Sequence, residues 1–451
     1  MNEKNYMKLL RDTEKYAEKY IQKVETMRVF PSIESLSQLS VFEESMPALS
    51  TSSSEVLQLL QTYGEQATIP QTAGRYFGFV NGGQLPVSHA ADWIVSTWDQ
   101  NCALNAMSPL SSKLEEVCEK WLVELLRLPK NTVAGFVSGS SNAILCALAA
   151  ARNTLLQRQG YDVKENGLRN APKIRIVLGE QAHASVWKAL SLLGFGTNDI
   201  EVAKADEFGC IKVDTLPTLD KHTLLILQAG NANGGGFDPI NELCDLANKA
   251  GSWVHIDGAF GLWAAASNRK RHLVFGMEKA DSWSVDAHKT LNVTYDCGIV
   301  LCKDKASLVN ALQRNGDYLQ FSKHRDGTLY TTEMSKRSRV IPLWAVLKHL
   351  GAEGVEKLID NLCNQASYFA EELRKKDFII ENPVFFNQFM VKCKTDKETI
   401  HTLEAIQNGG VCWCGKSVWN GEPVIRISVC SHRTTKKDID KSVQAFVQSS
   451  N

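Results

Sequence analysis

What most constrains this chain is a series of short, unbroken apolar runs: IRIVL at 174–178, LLILQ at 224–228, WVHID at 253–257 and DSWSVD at 281–286. A strand with one wet face alternates apolar and polar residues, whereas a continuously apolar strand has both faces covered. Helix-like text fills the gaps at 184–193 and 239–250, and strand–helix alternation of this kind predicts a mainly parallel sheet with helices on both sides. The sheet belongs to a large α/β domain over residues 76–340. Ahead of it, residues 1–75 read as a helical arm broken at Pro31, at Pro47 and by the polar run 50–54, with apolar faces that call for another surface. Behind it, residues 341–451 hold a helix-rich stretch to 375, strand-like FFNQFMVKC and VIRISVC, and a final amphipathic helix, which predicts a smaller α+β domain. The text LSSKLEEVCEKWLVELLRLP at 110–129 predicts a helix with Leu114, Cys118, Trp121, Leu122 and Leu125 on one face. Ser112 and Glu115 have the spacing of a capping box, and Pro129 ends that helix.

Composition removes several classes of function. Fifty Lys plus Arg balance fifty Asp plus Glu, so no net charge recruits nucleic acid. The twelve cysteines are scattered, and Cys412 and Cys414, with a single residue between them, suit no common zinc spacing. No metal site is expected, and reduced thiols point to a cytoplasmic protein. The start, MNEKNYMKLLRDTEKYAEKY, lacks the apolar core of a signal peptide, and no apolar stretch reaches the ~20 residues of a membrane helix.

Four segments at strand ends or helix starts carry the polar chemistry. Ser138-Gly139-Ser140-Ser141-Asn142 opens a helix whose free N–H groups and dipole suit a phosphate. Asp286-Ala287-His288-Lys289 follows a strand, where a desolvated Lys289 becomes a nucleophile able to form a Schiff base, with His288 beside the same phosphate. Asp257 closes an apolar strand, where a carboxylate needs a partner such as a protonated pyridine nitrogen. His183 is placed to stack on a planar ring and meet a substrate carboxylate. Taken singly, each has an ordinary reading as a cap, a solvated lysine, an ion pair or a structural histidine. The glycine-rich run 230–236 lacks the strand, GxGxxG and helix order of a dinucleotide site. Together, phosphate loop, histidine, strand-end aspartate and His-Lys pair make the equipment of a pyridoxal 5'-phosphate site at one sheet edge.

The sequence resembles the group II pyridoxal-phosphate-dependent amino acid decarboxylases, the family of the aromatic amino acid, histidine and glutamate enzymes. The resemblance runs through RYFGFVNGG at 75–83, SPLSSKLEEVCEKWL, SGSSNAILCALAAAR, EQAHASVWKAL, GGGFDPI, HIDGAFGLWAAAS, DSWSVDAHKTLNVTYDCGIV and IRISVCSHRTT. It implies fold type I of the pyridoxal-phosphate-dependent transferases, with a seven-stranded, mainly parallel sheet, and a homodimer with its active site at the interface. Carried over by residue, it implies Lys289 as the Schiff-base lysine and Asp257 as the partner of the pyridine nitrogen. His183 becomes the stacking histidine, with Gly139, Ser140, Ser141 and His288 as phosphate contacts. Ala259 packs on the ring, Asn231 joins the cofactor contacts, and Phe79, Val80 and Asn81 line the substrate pocket.

This sequence departs from the family at Thr290, commonly Trp, and at Ala232, where several relatives have a hydroxyl residue. The catalytic loop, expected within 316–338, has around Asp326, Gly327, Thr328, Thr331 and Thr332 the polar, glycine-containing composition of a mobile lid, and it offers Tyr330 as first candidate for the proton donor and Tyr318 as second. The implied activity is decarboxylation of an L-amino acid, with an aromatic or apolar side chain suggested by Phe79 and Val80. A carbon–carbon lyase, an aldehyde-forming oxidative decarboxylase, an aminotransferase and a non-enzymatic cofactor-binding protein stand as alternatives.

Overall fold

The computed structural model describes residues 3–314, 316 and 321–450. The chain begins with α1 (Glu3–Lys23), α2 (Ile33–Ser37) and α3 (Ser53–Leu59), none of which buries a residue fully. The polar run at 50–54 starts a helix as well as ending one: Ser52 accepts from Glu55 N, and Glu55 answers at the Ser52 N–H. Between α1 and α2 the chain docks on the C-terminal region, with Val29 N donating to Gly410 O and Val29 packed beside Tyr76 and Trp413.

Next come α4 (Pro86–Trp98), α5 (Pro109–Leu125), β1 (Val133–Val137), α6 (Ser140–Gln157), α7 (Val163–Asn166), β2 (Arg175–Gly179) and α8 (Ala184–Leu192). They are followed by β3 (Ile200–Ala203), β4 (Thr223–Gln228), α9 (Ile240–Ala250), β5 (Trp253–Asp257), β6 (Ser282–Asp286), β7 (Gly298–Cys302) and α10 (Lys305–Leu312). The seven strands form one sheet in the order β1-β7-β6-β5-β4-β2-β3. Strands β3, β2, β4, β5 and β6 are parallel, and β7 runs antiparallel to both β6 and β1. All four apolar runs are therefore neighbouring strands. The sheet also contains 133–137, 200–203 and 298–302, three strands beyond the four apolar runs.

The amphipathic helix α5 differs from expectation at both ends. Pro109 at its first turn, after Ser108, starts it three residues before Ser112, because proline's missing N–H costs nothing there. Ser112 and Glu115 therefore lie inside it and are buried, and Glu115 pairs with Arg325 at 2.8 Å and Lys336 at 2.7 Å in place of capping. The helix stops at Leu125, with Arg127 in the left-handed region at φ 55°, before Pro129 is reached.

The chain closes with α11 (Val340–Arg374), β8 (Ile379–Ile380), β9 (Gln388–Lys392), α12 (Asp396–Gly409), β10 (Gly415–Trp419), β11 (Glu422–Ser428) and α13 (Lys436–Ser449). Strands β10-β11-β9-β8 make an antiparallel sheet. Helix α11 is broken at Gly351 (φ 60°, ψ −179°), a conformation open to glycine alone. The first part of α11 packs into the core of the large sheet and the last part into that of the small sheet.

Candidate functional site

The C-terminal ends of the parallel strands bring the charged groups together, as expected of an open α/β sheet. Register aligns Gln228 of β4 with Asp257 of β5, and Asp257 with Ser284 of β6. One cleft between the sheet edge and β11 is lined by Lys289, Asp257, His183, Ala259, Phe79 and Arg426, among others. A larger cleft of about 710 Å³ lies between α1 and α4, but no carboxylate or lysine lines it.

Lys289 sits on the turn after β6. Its Nζ lies 3.0 Å from Asp286 Oδ2, and Asp286 Oδ1 accepts from Ser140 N at 2.6 Å, the first N–H of α6. The turn is held from several sides. The Ala287 and His288 amides donate to Cys297 O. Thr290 Oγ1 donates to Phe260 O at 3.0 Å, so the threonine at this position is used inside the fold. Asn292 takes the left-handed conformation at φ 57°, and its amide donates to the carbonyls of Thr290 and Cys430. His288 Nδ1 accepts from Cys297 N at 3.1 Å, which leaves Nε2 with the proton when the ring is neutral. Tyr295 stacks on His288 with ring centroids 4.2 Å apart. Burial pushes the His288 imidazole below its ordinary range and the Tyr295 phenol above its own.

Asp257 ends the fully buried strand β5, and its Oδ1 accepts from Ala259 N at 3.2 Å. Burial pushes this carboxyl up, against the opposing pull of His183 and Lys289. A carboxylate so placed calls for a cation in the cleft. His183 is the N-cap of α8: its Nδ1 accepts from Ser185 N at 3.2 Å and lies 2.7 Å from Ser185 Oγ. The lone pair at Nδ1 is thus used by the helix start. Burial lowers this imidazole too, while Asp257 pulls the other way.

Helix α6 starts at Ser140 after an extended Gly139, with no side-chain cap. Ser140 is buried and Ser141 exposed, and of the N–H groups of the first turn that of Ser140 is taken by Asp286. Gly298 opposite is required by space, since a Cβ there would run into the Gly139 backbone.

Phe79 and Val80 both take the left-handed region, φ 53° and 61°, and both line the cleft. Two adjacent non-glycine residues in that region store strain, which collects at functional sites. An aromatic column supports them, with Phe79 on Trp413 at 5.2 Å and Trp413 on Tyr76 at 5.3 Å. Asn81 stands beside the cleft without lining it, accepting from Tyr295 OH and donating to Gln71.

Two candidates are placed elsewhere. The polar atoms of Asn231 hold the 230–236 loop together: Oδ1 accepts from Asn233 N and Gly234 N, and Nδ2 donates to Phe208 O. They do not face the cleft, because a glycine-rich loop needs such internal bonds to keep a shape. Tyr330 is buried under the Arg325 guanidinium, 3.9 Å from its ring centroid, in the core beside β1 and α10. It is not part of a mobile lid, because a ring packed on a guanidinium that Glu115 and Glu119 grip has no freedom to swing. Tyr318 lies outside the described residues.

Arg426, Gln228, Asp286 and Tyr295 were missed as site residues. Arg426 had a readable signal, a charge inside the apolar strand VIRISVC. It now lines the cleft, with one guanidinium nitrogen donating to Ala232 O and its buried Nε unpartnered.

Among the described residues no cluster of three or more His, Cys, Asp or Glu could hold a metal ion, and no helix is long and apolar enough to cross a membrane. All twelve cysteines are free and buried.

The molecule is an α/β protein with a seven-stranded sheet that gathers a lysine, a buried carboxylate and an imidazole at its strand ends. Residues 69–386 match the pyridoxal-dependent decarboxylase conserved domain, and the chain belongs to that family. The family's cofactor is pyridoxal phosphate. Tyrosine decarboxylase 2 of Arabidopsis thaliana is 25% identical over 374 residues, covering 75% of this chain and 66% of that protein. Phenylacetaldehyde synthase of Petunia hybrida is 28% identical over 374 residues, covering 74% of this chain and 72% of the other. The fold is also that of mouse CSAD in its apo form, with a TM-score of 0.91 at 21% identity over 99% of each chain. Catharanthus roseus tryptophan decarboxylase in complex with L-tryptophan gives 0.88 at 20% identity, over 100% of this chain and 99% of that one.

Proposed function

We propose that this protein removes the α-carboxylate of an L-amino acid, with Lys289 carrying pyridoxal phosphate. The observation that carries the reading is the convergence of Lys289, Asp257 and His183 on one cleft at the strand ends of a chain in this family. The residues fit the cofactor. Asp257 is a buried carboxyl in want of a cation, which a protonated pyridine nitrogen meets, and the start of α6, whose N-cap Gly139 brings no side chain, suits a phosphate. Ala259 is small enough to lie against a ring. When bound, pyridoxal phosphate supplies an aldehyde for amines and a protonated ring that accepts the electron pair left by carbon dioxide.

The remaining work falls to the chain. Asp257 keeps the ring nitrogen protonated. His183, fixed at Nδ1 by the start of α8, offers Nε2 to the substrate and stacks on the ring. Arg426, whose side chain lines the cleft, supplies the positive charge that binds the substrate carboxylate before it leaves. Phe79, Val80 and Phe260 exclude water and favour an aromatic or apolar side chain.

A second reading is supported by the likeness to phenylacetaldehyde synthases. There the product would be an aldehyde, with dioxygen and water consumed and carbon dioxide, ammonia and hydrogen peroxide released. We also propose a homodimer, supported by the exposed Tyr6, Met7, Leu10 and Ile21 of α1, which a second copy would cover.

The test is a panel of L-amino acids with purified, cofactor-loaded protein. Release of carbon dioxide with one equivalent of amine supports decarboxylation, and aldehyde with peroxide supports the second reading. A keto acid, a carbon–carbon cleavage product or no turnover on any amino acid would refute both.

A further inference from the structure

Asp286 has no counterpart in the roles assigned above, yet it is the most enclosed charged group at the cleft, with a side chain 1% exposed. One oxygen takes the Ser140 N–H at 2.6 Å, at the positive end of the 18-residue helix α6. The other lies 3.0 Å from Lys289 Nζ and 3.6 Å from His288 Nε2. Its backbone is fixed as well, since Asp286 N donates to Ala259 O and Trp263 Nε1 donates to Asp286 O at 2.9 Å. The side chain cannot turn away without breaking from both the helix and the lysine. The carboxylate therefore stands between the two groups that a phosphate and an aldehyde would each use.

We propose that Asp286 is a positioning residue that holds Lys289 Nζ at the strand end and sets cofactor affinity, by placing a negative charge on the same helix start that receives the cofactor's phosphate. This rests on the reading that Lys289 and the start of α6 take pyridoxal phosphate. Two effects follow from the one charge. It holds the nitrogen of Lys289 in place across the 3.0 Å contact, and it opposes a phosphate dianion at the start of α6, so the cofactor is held less tightly than the helix and Ser140 alone would hold it. The other ionisable groups facing it are His288, Tyr295, Cys297, Asp257 and His183. The plainer alternative is a helix cap with no bearing on the cofactor.

The experiment uses full-length protein and Asp286→Asn, which keeps the shape and removes the charge. Pyridoxal phosphate and phosphate-free pyridoxal are each titrated into the cofactor-depleted forms by absorbance, and the visible band of the loaded forms is titrated against pH. The expected result is pyridoxal phosphate bound tighter in the variant by about tenfold or more, about 1.4 kcal/mol, with a smaller gain for pyridoxal. The band's midpoint should also move to lower pH, because a cationic nitrogen at Lys289 has lost its counter-charge. Affinity for pyridoxal phosphate that is unchanged or weaker, an equal gain for both ligands, or an unmoved midpoint overturns the proposal. Failure of the parent protein to bind pyridoxal phosphate would instead refute the reading on which it rests, and Asp286→Glu, which restores the charge, should return both readouts toward the parent.

Discussion

Gly82 rests on the backbone carbonyl of Lys289: a Cβ built on Gly82 would overlap the oxygens of both Lys289 and His288. The segment that carries Phe79 and Val80 can ride against the lysine turn only because this residue has no side chain. Gly82→Ala should therefore push the two apart, costing about 1–3 kcal/mol of overpacking. Stability by urea titration should fall modestly, while affinity for pyridoxal phosphate falls more. Unchanged cofactor affinity would show that the contact does not set the position of Lys289.

Asp257→Asn should leave the fold and part of the cofactor binding intact, because an amide has nearly the same shape. It cannot hold a proton on the pyridine nitrogen, so turnover should drop by two or more orders of magnitude, about 3 kcal/mol of barrier. Rates of carbon dioxide release check this. Parent-like turnover would make Asp257 a structural residue.

Tyr330 lends itself to a pair of substitutions. Tyr330→Phe keeps the ring on Arg325 and should keep activity within a few-fold of the parent. Tyr330→Ala removes a buried ring and the surface on which the guanidinium lies, and should cost about 3–5 kcal/mol of stability. An intact fold with a large loss of amine in Tyr330→Phe would contradict the placement of this side chain in the core.

Buried imidazoles set the acid limit. Burial pushes His255 down to about 3 and His432 down to about 4, and lowers His183 as well. Unfolded histidine titrates near 6.5, so between that pH and the folded values the unfolded chain binds more protons than the native one. Stability is then full above about pH 6.5 and is lost as pH falls, by up to about 1 kcal/mol per pH unit for each imidazole. Urea midpoints from pH 7 to pH 5 should decline, and His255→Gln should flatten the slope. A midpoint that rises on acidification would reverse the sign of this effect.

The parallel core strands were legible because burial on both faces leaves an unbroken apolar run, and Lys289, Asp257 and His183 because each directly follows or ends such a strand or opens a helix. Local patterns misled where tertiary contacts took over. The spacing of Ser112 and Glu115 imitates a capping box, yet Glu115 serves Arg325 and Lys336, more than 200 positions away in the chain. Tyr330 lies in a polar, glycine-containing stretch that reads as a lid, and nothing nearby in sequence announces the buried guanidinium above it. Asp286 has no role legible in its motif, since only the fold brings Ser140 to its other oxygen.

The central claim, that Lys289 carries the cofactor, is tested most directly by reducing the pyridoxal-phosphate-loaded protein with borohydride and mapping the labelled peptide by mass spectrometry. A single pyridoxyl-phosphate label on Lys289 is expected, with none in Lys289→Ala. A label on another lysine, or a protein that stays colourless with added pyridoxal phosphate, would contradict it.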